Sequence, residues 1–456
     1  MIPAIQSLSI NKIPVNFLTS RRAFYTMYGL LVYEGFFTYL MAIFTRKASG
    51  GRNIYLALDI GTEIVKALIC LSEGTKGRVI GVGRHKQKLG DMQSGAVTDI
   101  GGVIRNCQKA IKDAERMAGV SANQMIMGIA GELVKGATTT LSYSRREPSS
   151  KIDLAELKNI VHKIQWKAFD KVRSDLAFET GYNEIDVKLV NAAIVDVQID
   201  SYKVSNPIGF QGKDVDISIF NAFAPLVHFG ALQTIAAELD KELMAITAEP
   251  YAVARCMGHE DGGNVSSIFI DIGGGTTDIA IVRNGSVEGT RMFTLGGRTF
   301  TKRLAQSLNI SFQEAEEIKL AYSSDKLEKQ SHKIVREAMK SDCEVWLSGV
   351  ALTLAEFEEI DVLPSKILLC GGGSHLPEIK EVLETREWFR KLPFSQKPHI
   401  SFLKPNMVSN MVDETKRMKD PQDITPLSLA NLGLEYLGEE KVLSKILKKI
   451  VRLMQI

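Results

Sequence analysis

Two glycine-rich segments, far apart in the chain, share the same order of residue types. Tyr55–Lys66 reads YLALDIGTEIVK, and Ile268–Asp278 reads IFIDIGGGTTD. In each, an apolar run typical of a buried strand ends in an aspartate, followed by glycine and small hydroxyl residues. Such glycines allow a tight turn whose backbone N–H groups bind anionic oxygens, and the carboxylates of Asp59 and Asp271 suit a hydrated divalent cation. Two turns of this kind predict two related halves that hold one polyphosphate from opposite sides.

A third segment, Ile367–Pro377 (ILLCGGGSHLP), again runs from an apolar strand into glycines. The three motifs, in this order and at this spacing, resemble those of the actin-like ATPase superfamily, which includes actin, DnaK-type chaperones, sugar kinases and FtsA. The resemblance implies an α/β, two-lobed actin-like ATPase fold built from duplicated ribonuclease H-like domains. It also implies that ATP and Mg²⁺ bind in the cleft between the lobes.

The resemblance assigns roles to particular residues. The implied cofactor-binding residues are Gly61, Thr62, Lys66, Gly273, Gly274, Gly275, Thr276, Thr277, Gly296, Gly297, Glu316, Lys319, Gly371, Gly372, Gly373 and Ser374. Asp59 and Asp271 are the implied metal residues, and Glu249 and Asp271 the implied catalytic ones. In the superfamily a Glu or Gln of the hinge helix orients the attacking water, the position that Glu249 occupies here. Hydrolysis is expected to be at most slow and regulatory.

Some of these residues also fit ordinary structural roles. Glu249 beside Pro250 is a common helix start, and a Glu–Lys pair three residues apart, such as Glu316 and Lys319, also describes a solvated helix face. Lys66 matches a phosphate-contacting lysine of actin, whereas many FtsA-like chains place their lysine earlier. These alternatives stay open at the level of sequence.

Composition excludes several other classes. The chain has 56 basic and 53 acidic residues among 456, so its charge gives no basis for nucleic-acid binding over the whole surface. Five scattered cysteines form neither a zinc motif nor a disulfide framework, which favours a reducing, cytoplasmic environment. No HExxH, GxSxG or P-loop motif occurs, so hydrolases of those types are not indicated.

Within the superfamily, the region after the first motif narrows the resemblance to FtsA. The segment 89–99 (LGDMQSGAVTD) is similar to the one that opens an inserted subdomain in FtsA, and Met127–Gly131 is similar to the strand that follows. The expected domains are a first lobe at 53–87 and 207–265, an FtsA-type insert at 88–206, a second lobe at 266–299 and 364–437, and a nucleotide-covering subdomain at 300–363.

Periodicity predicts the main elements of these domains. Helices are expected at Ile100–Ala118, Asp153–Val172, Leu226–Glu238, Tyr251–Met257, Arg298–Leu308, Ser331–Phe357 and Thr425–Leu437, and strands at Val187–Asp200 and Asp214–Ala224. The polar stretch Lys404–Asp423 is expected to be a surface loop.

The first 52 residues do not fit the superfamily pattern. Ala23–Thr45, flanked by basic pairs, has the length and apolar character of one membrane-spanning helix. Residues 1–40 also fit an upstream extension, since Met41 offers an alternative start, or a segment packed on the rest of the protein. The three interpretations stay open.

The C-terminal residues 438–456 form a predicted basic amphipathic helix. Aliphatic residues fall on one face, and Lys441, Lys445, Lys448, Lys449 and Arg452 fall on the other. Such a helix binds an anionic membrane interface, as the comparable terminal helix of FtsA does at the inner membrane. Packing on the protein's own surface or on a partner is the alternative, and only Gly438 separates this helix from the predicted core.

The resemblance as a whole implies an ATP-binding cell-division protein. Such a protein polymerises into filaments on the cytoplasmic face of the inner membrane and tethers a ring of the tubulin homologue FtsZ to it. One alternative is a PilM-like type IV pilus assembly adaptor, although PilM-like chains are shorter and lack the basic terminal helix. Another is a small-molecule kinase, but no aspartate outside the phosphate motifs is identified for a substrate hydroxyl.

Overall fold

The computed structural model describes residues 53–131, 133–181, 186–257 and 265–438. The predicted N-terminal membrane segment and the C-terminal basic helix lie outside these described residues. Within them, no helix combines the length and the hydropathy needed to cross a membrane.

The first sheet is built on a three-stranded antiparallel unit. Its strands are β1 (Asn53–Ile60), β2 (Ile64–Glu73), β3 (Lys76–Lys86), β6 (Gln124–Ile129), β11 (Glu242–Ala248) and β17 (Met411–Asp413). They lie in the order β11-β6-β1-β2-β3-β17. β1, β2 and β3 are antiparallel, whereas β6 runs parallel to β1 and β11 parallel to β6.

The second sheet begins with the same arrangement. Its strands are β12 (Ser267–Ile272), β13 (Thr277–Arg283), β14 (Ser286–Phe293), β15 (Lys366–Cys370) and β16 (His399–Phe402), in the order β16-β15-β12-β13-β14. β12, β13 and β14 are antiparallel, and β15 and β16 continue the sheet in parallel beside β12. Three antiparallel strands flanked by two parallel ones therefore occur twice, which confirms the predicted duplicated α/β fold.

The inserted region extends the second sheet. Its strands β7 (Lys135–Ser144), β8 (Val187–Ile199), β9 (Tyr202–Lys203) and β10 (Asp214–Pro225) add on in the order β14-β7-β10-β8-β9. The junction is short, because β7 and β14 pair only at Gly289 with Ala137 and at Thr290 with Gly136. A separate hairpin consists of β4 (Met92–Gln93) and β5 (Ala96–Val97).

Sheet membership does not follow the predicted insert boundaries. β6 lies inside 88–206 but pairs with β1 in the first sheet, whereas β10 lies beyond residue 206 and pairs with β7 and β8. The domain limits given above remain a prediction. The strand pairing favours an insert made of residues 135–225.

The helices cover both sheets and the insert. They are α1 (Ile100–Ala118), α2 (Leu154–Thr180), α3 (Leu226–Glu238), α4 (Glu249–Met257), α5 (Gly297–Leu308), α6 (Phe312–Ser323), α7 (Lys329–Ala355), α8 (Pro377–Thr385) and α9 (Ile424–Leu437). Local sequence sets several ends. The Asp99 carboxylate accepts the Gly102 N–H at the start of α1, and Ser311 and Glu314 form a capping box at the start of α6.

Two large cores lie behind the two sheets. In the first, α9 packs against β1 and α4, and the Tyr55 hydroxyl donates to the Ala430 carbonyl at 2.6 Å. In the second, Trp346 of α7 is fully buried, and its indole N–H donates to the Thr277 hydroxyl at 2.9 Å. Each core anchors a strand that adjoins one glycine turn, so the turns are held on rigid supports.

Two predicted elements are corrected by the structure. The stretch Lys404–Asp423 is not only a surface loop, because β17 within it pairs with β3 and Asp423 is fully buried. The helix predicted over Asp153–Val172 continues to Thr180. Both corrections come from tertiary contacts, which local polarity and periodicity do not report.

The contact between α1 and β3 generates a stability prediction. A Cβ on Gly83 would lie 1.8 Å from the Ala110 carbonyl oxygen, so helix and strand meet there backbone to backbone. We expect Gly83→Ala to push α1 away and lower the free energy of unfolding by about 1–3 kcal/mol, the usual cost of overpacking. Urea denaturation measures the change. Gly90→Ala is the control, because nothing lies within 4 Å of a Cβ there. Equal stability of the two variants would contradict this packing.

Candidate functional site

The first glycine turn connects β1 to β2. Asp59, only 2% exposed, lies opposite Lys66 in the strand register, and the Lys66 ammonium contacts the Asp59 carboxylate at 3.0 Å. Burial lowers the pKa of Lys66, but Asp59 and the more distant Asp271 outweigh it, so the net shift is upward. Lys66 is therefore a fixed positive charge at the base of the first turn.

The second glycine turn connects β12 to β13 and is braced from behind. The Gly273 N–H donates to the Thr276 carbonyl at 2.9 Å, which closes the turn on itself. The N–H groups of Gly297 and Arg298, at the start of α5, donate to the carbonyls of Gly273 and Gly274. A Cβ on Gly296 would lie 2.7 Å from the Gly273 oxygen, so only glycine allows this approach.

The two turns meet face to face. A Cβ on Gly274 would lie 2.6 Å from Cγ of Glu63, and one on Gly275 would lie 2.8 Å from Oγ1 of Thr62. Side chains at these glycines would separate the turns. Because Gly274 and Gly275 have no side chains, the two turns can lie close together and border the same cavity.

That space is a cavity of about 420 Å³, within the roughly 300–1,000 Å³ usual for ligand pockets. The predicted residues that line it are Asp59, Gly61, Thr62, Lys66, Glu249, Asp271, Gly273, Gly274, Thr276, Gly297, Glu316, Lys319, Gly371, Gly372 and Gly373. The structure therefore brings residues of all three motifs, the hinge-helix glutamate and the Glu–Lys pair to one place.

Four predicted residues do not line the cavity: Gly275, Thr277, Gly296 and Ser374. Gly275 and Gly296 act through the close backbone approaches described above. The Thr277 hydroxyl donates to the Leu295 carbonyl and receives the Trp346 N–H, so its side chain faces the core of the second lobe. The Ser374 hydroxyl donates to the Gly371 carbonyl and stabilises the third turn.

The third glycine turn follows β15. Gly371 has φ +81°, and a Cβ on it would lie 2.1 Å from a carboxylate oxygen of Asp271. The Gly371 N–H donates to the Pro421 carbonyl at 3.1 Å. This position therefore requires glycine for both its backbone conformation and its contact with the second turn.

The Glu–Lys pair of α6 is buried and forms part of the cavity wall. Glu316 and Lys319 are each 7% exposed, with 2.8 Å between the ammonium and the carboxylate. The Lys319 ammonium also donates to the Gly297 carbonyl at 3.0 Å and the Thr301 hydroxyl at 2.8 Å. The alternative of a solvated helix face is therefore wrong for these two residues.

Buried acidic groups dominate the electrostatics of the cavity. Burial raises the pKa of Glu249 well above its usual range, and the negative charges of Asp59, Asp278 and Asp271 raise it further. Burial also raises the pKa of Asp271, against a hydrogen bond from Thr425, and raises that of Asp278 well above its usual range. Among these groups Lys66 is the cation that opposes the shift of Glu249. Such a site favours either bound protons or an added cation.

Several cavity residues were missed by reasoning from sequence. Asp278 closes the second motif, and its Oδ1 is buried without a hydrogen-bond partner. A charged residue inside an otherwise apolar strand was the available signal. The others missed are Glu63, Ile64, Leu320, Ser323, Ser324, His375, Leu376, Asp420, Gln422 and Thr425. The last three come from the end of the stretch predicted as a surface loop or just beyond it, and no motif marks them.

The donor set fits a magnesium ion that keeps most of its water. Asp59 and Asp271 both line the cavity, and no group of three or more His, Cys, Asp or Glu that suits a metal occurs among the described residues. Mg²⁺ is usually held by one or two carboxylates together with water and substrate phosphates. Two carboxylates beside glycine turns agree with that pattern.

The raised pKa of Glu249 generates a prediction about pH. A carboxyl group that stays protonated in the folded state but ionises in the unfolded state makes stability fall as pH rises above its unfolded pKa. In the absence of divalent cations, Glu249→Gln removes this loss. The free energy of unfolding of the variant, relative to that of the native protein, should therefore rise steadily above about pH 4.3, the ordinary pKa of a Glu side chain. Urea denaturation at a series of pH values measures the difference.

The matched control is Glu317→Gln, which alters an exposed carboxylate of α6, next to the buried Glu316 in sequence. It should show no such rise. A stability difference between Glu249→Gln and the native protein that does not change with pH would contradict a raised pKa of Glu249.

The chain is similar in sequence to known proteins. Residues 268–424 match the family model described as "Cell division protein FtsA". The cell division protein FtsA of Neisseria meningitidis serogroup B is 28% identical over 270 residues, 58% of this chain and 60% of that protein. FtsA of Pseudomonas aeruginosa is 24% identical over 353 residues, 73% of this chain and 80% of that protein. The alignment thus spans less than two thirds of the Neisseria protein.

Among solved structures, a PilM–PilN type IV pilus biogenesis complex contains a chain of the same fold. The TM-score is 0.60 at 17% identity, with 84% of this chain and 99% of that chain covered. This likeness concerns the fold, whereas the sequence matches point to FtsA. The chain is thus similar in sequence to FtsA cell division proteins, and it has the predicted two-lobed actin-like fold.

Proposed function

We propose that this protein binds ATP with Mg²⁺ between its two lobes and acts in cell division as an actin-like scaffold. The observation that carries the proposal is the convergence of three glycine turns on one cavity with buried carboxylates and the Glu316–Lys319 pair. Turns of this kind bind phosphate oxygens through backbone N–H groups. The similarity to FtsA proteins supplies the cell-division context.

The residues divide naturally between the parts of a nucleotide. Gly61, Thr62 and the Gly273–Thr276 turn would hold the phosphates, and Gly371–Gly373 with Glu316 and Lys319 would lie around the nucleoside. Asp59 and Asp271 would hold Mg²⁺ through water, and the ion would neutralise phosphate charge. Lys66 adds a positive charge, but its contact with Asp59 makes it first of all a partner of that carboxylate.

Glu249 suits slow hydrolysis. Because its pKa is raised, the Glu249 carboxyl group is ionised to a smaller extent than an exposed glutamate at the same pH, and it accepts a proton from water less readily. A cation near Asp59 and Asp271 would offset their negative charge and favour ionisation of Glu249. Its ability to orient and deprotonate water would therefore depend on how the cleft is occupied, which suits a regulatory ATPase rather than a fast enzyme.

The scaffold role follows from the two-lobed arrangement. Nucleotide between the lobes fixes the angle between them, and such an angle can control contacts between subunits of a filament. We propose that filaments of this chain lie at the cytoplasmic face of the cell membrane, attached by the basic helix predicted over residues 439–456. There they would join the membrane to an FtsZ-like tubulin homologue.

A glycine substitution tests nucleotide binding. Gly371→Ala places a Cβ against Asp271 at a backbone conformation that side chains disfavour, so the third turn must shift. We expect the affinity for ATP with Mg²⁺, measured by isothermal titration calorimetry, to fall at least about tenfold, which corresponds to about 1.4 kcal/mol. Gly230→Ala in α3 is the control, with nothing within 4 Å of its Cβ, and should bind normally. Undiminished binding by Gly371→Ala would remove the third turn from the site.

Vesicle co-sedimentation tests the scaffold role. With anionic phospholipid vesicles, the intact protein should sediment more strongly in the presence of ATP and Mg²⁺ than without them. Deletion of residues 439–456 should abolish this sedimentation, and replacement of Lys445, Lys448 and Lys449 by Gln should weaken it, because charge attracts such a helix to anionic lipid.

The charge-matched control removes three exposed lysines of α7, Lys329, Lys333 and Lys340, and should leave sedimentation unchanged. Sedimentation that ignores nucleotide, or that survives the deletion, would contradict the proposal. ATP turnover stimulated by a sugar would favour the small-molecule kinase instead, and capture of pilus-assembly components without FtsZ would favour the PilM-like adaptor.

A further inference from the structure

Arg298 connects the two phosphate turns from behind. It is the second residue of α5 in the second lobe, and it is only 9% exposed. Its backbone N–H donates to the Gly274 carbonyl, so its main chain is fixed to the second glycine turn. Its side chain leaves that lobe entirely.

Among the described residues, the guanidinium group of Arg298 forms its hydrogen bonds with residues of the first lobe. One terminal nitrogen donates to the Thr62 carbonyl at 2.8 Å, within the first glycine turn. The other donates to the carbonyls of Met92 at 2.7 Å and Leu89 at 3.3 Å. Nε contacts the carboxylate of Glu63, the residue after Thr62. One side chain therefore binds the first turn at two successive residues and the segment that follows β3.

The neighbouring arginine of the same helix behaves differently. Arg303 pairs with Asp342 of α7 through two hydrogen bonds of 2.7 and 2.9 Å, and its side chain is 43% exposed. This pair joins two helices of the second lobe and does not reach the first. Arg303 therefore bonds within one lobe, whereas Arg298 bonds across the cleft.

The geometry points to Arg298 as a positioning residue that fastens the two phosphate turns to each other and so sets how long the closed cleft holds its ligand. This inference rests on the proposed function and deepens it, because it names the group that controls closure. A planar guanidinium with five donors reaches several carbonyls and a carboxylate at once, which a single ammonium cannot do in the same geometry. The positive charge also lies directly behind the backbone of the first turn.

The consequence is a population shift between closed and open lobes. Contacts that exist only when the turns are together stabilise the closed state, and their loss raises the fraction of molecules in the open one. A ligand held by both turns then leaves faster, while its encounter with the site is little changed. Loss of Arg298 should therefore act on release rather than on association.

The test measures nucleotide release from the full-length protein. Fluorescent N-methylanthraniloyl-ATP with Mg²⁺ is bound and then displaced by excess unlabelled ATP in a stopped-flow instrument. We expect release from Arg298→Gln to be at least about tenfold faster than from the native protein, the scale expected for lost hydrogen bonds to a charged group. Arg298→Lys keeps the positive charge but not the planar guanidinium with its several donors, so its release rate should lie between those of the native protein and Arg298→Gln. Arg303→Gln is the matched control and should release at the native rate.

A second measurement does not depend on nucleotide. The cysteines at positions 70, 107, 256, 343 and 370 are all buried, so spin labels can be directed to introduced cysteines at the exposed positions Lys112 in α1 and Lys333 in α7. Double electron–electron resonance then reports the distance between the lobes. Arg298→Gln should broaden this distance distribution, and Arg303→Gln should not.

The outcomes distinguish the role of Arg298 from the proposed function. A native rate of nucleotide release together with an unchanged lobe distance in Arg298→Gln would overturn the inference about Arg298. Equal effects of Arg298→Gln and Arg303→Gln would also overturn it. If the native protein binds no nucleotide, the proposed function fails, and the lobe distance alone still tests whether Arg298 holds the two turns together. If Arg298→Gln does not fold, Glu63→Ala replaces it, and an unchanged release rate in that variant would overturn the inference.

Discussion

The close approach of the second glycine turn to the side chains of Thr62 and Glu63 in the first turn is the constraint on which the rest of the site depends. Gly274 and Gly275 lie against Glu63 and Thr62 at distances that admit no side chain. Each turn is held by its own sheet. One buried core includes residues of both sheets, and the other consists of second-lobe residues. The two halves of the fold therefore matter to function mainly because they present two rigid turns to one cavity.

Charge is the second consequence of this arrangement. Bringing the turns together also brings together the buried carboxyl groups of Asp59, Asp271, Asp278 and Glu249. Buried like charges cannot all stay ionised at no cost, so the pKa of Glu249 and of Asp278 rises. The buried acidic groups of the site without ligand therefore favour the binding of a cation. In the proposed function, metal and nucleotide relieve this repulsion, and Arg298 keeps the turns together while they do so.

The sequence predicted the repeated part of the molecule well. The apolar runs ending in Asp59 and Asp271 are strands, the duplication appears in both sheets, and α1 occupies the predicted residues from Ile100 to Ala118. These features are local, since hydrophobic periodicity and glycine turns carry them. The motif residues also come together, because each glycine turn directly follows the end of a strand.

What the sequence could not supply were contacts between distant segments. Asp423 is fully buried and pairs with Arg84 of β3, and nothing in its polar surroundings indicates this. Thr277 has the right residue type for a phosphate contact, but Trp346 takes its hydroxyl. Arg298 reads as an ordinary helix residue, and only the folded structure shows that its side chain crosses the cleft. Strand pairing likewise assigns β6 and β10 to sheets that linear order does not suggest.

Hydrogen–deuterium exchange of the intact protein, with and without ATP and Mg²⁺, tests the central claim most directly. If one ligand lies between both turns, the amides of residues 61–64 and those of residues 273–277 should become protected together, at the same nucleotide concentration. Protection of only one turn, or of neither under conditions where nucleotide is bound, would contradict a site shared by the two lobes.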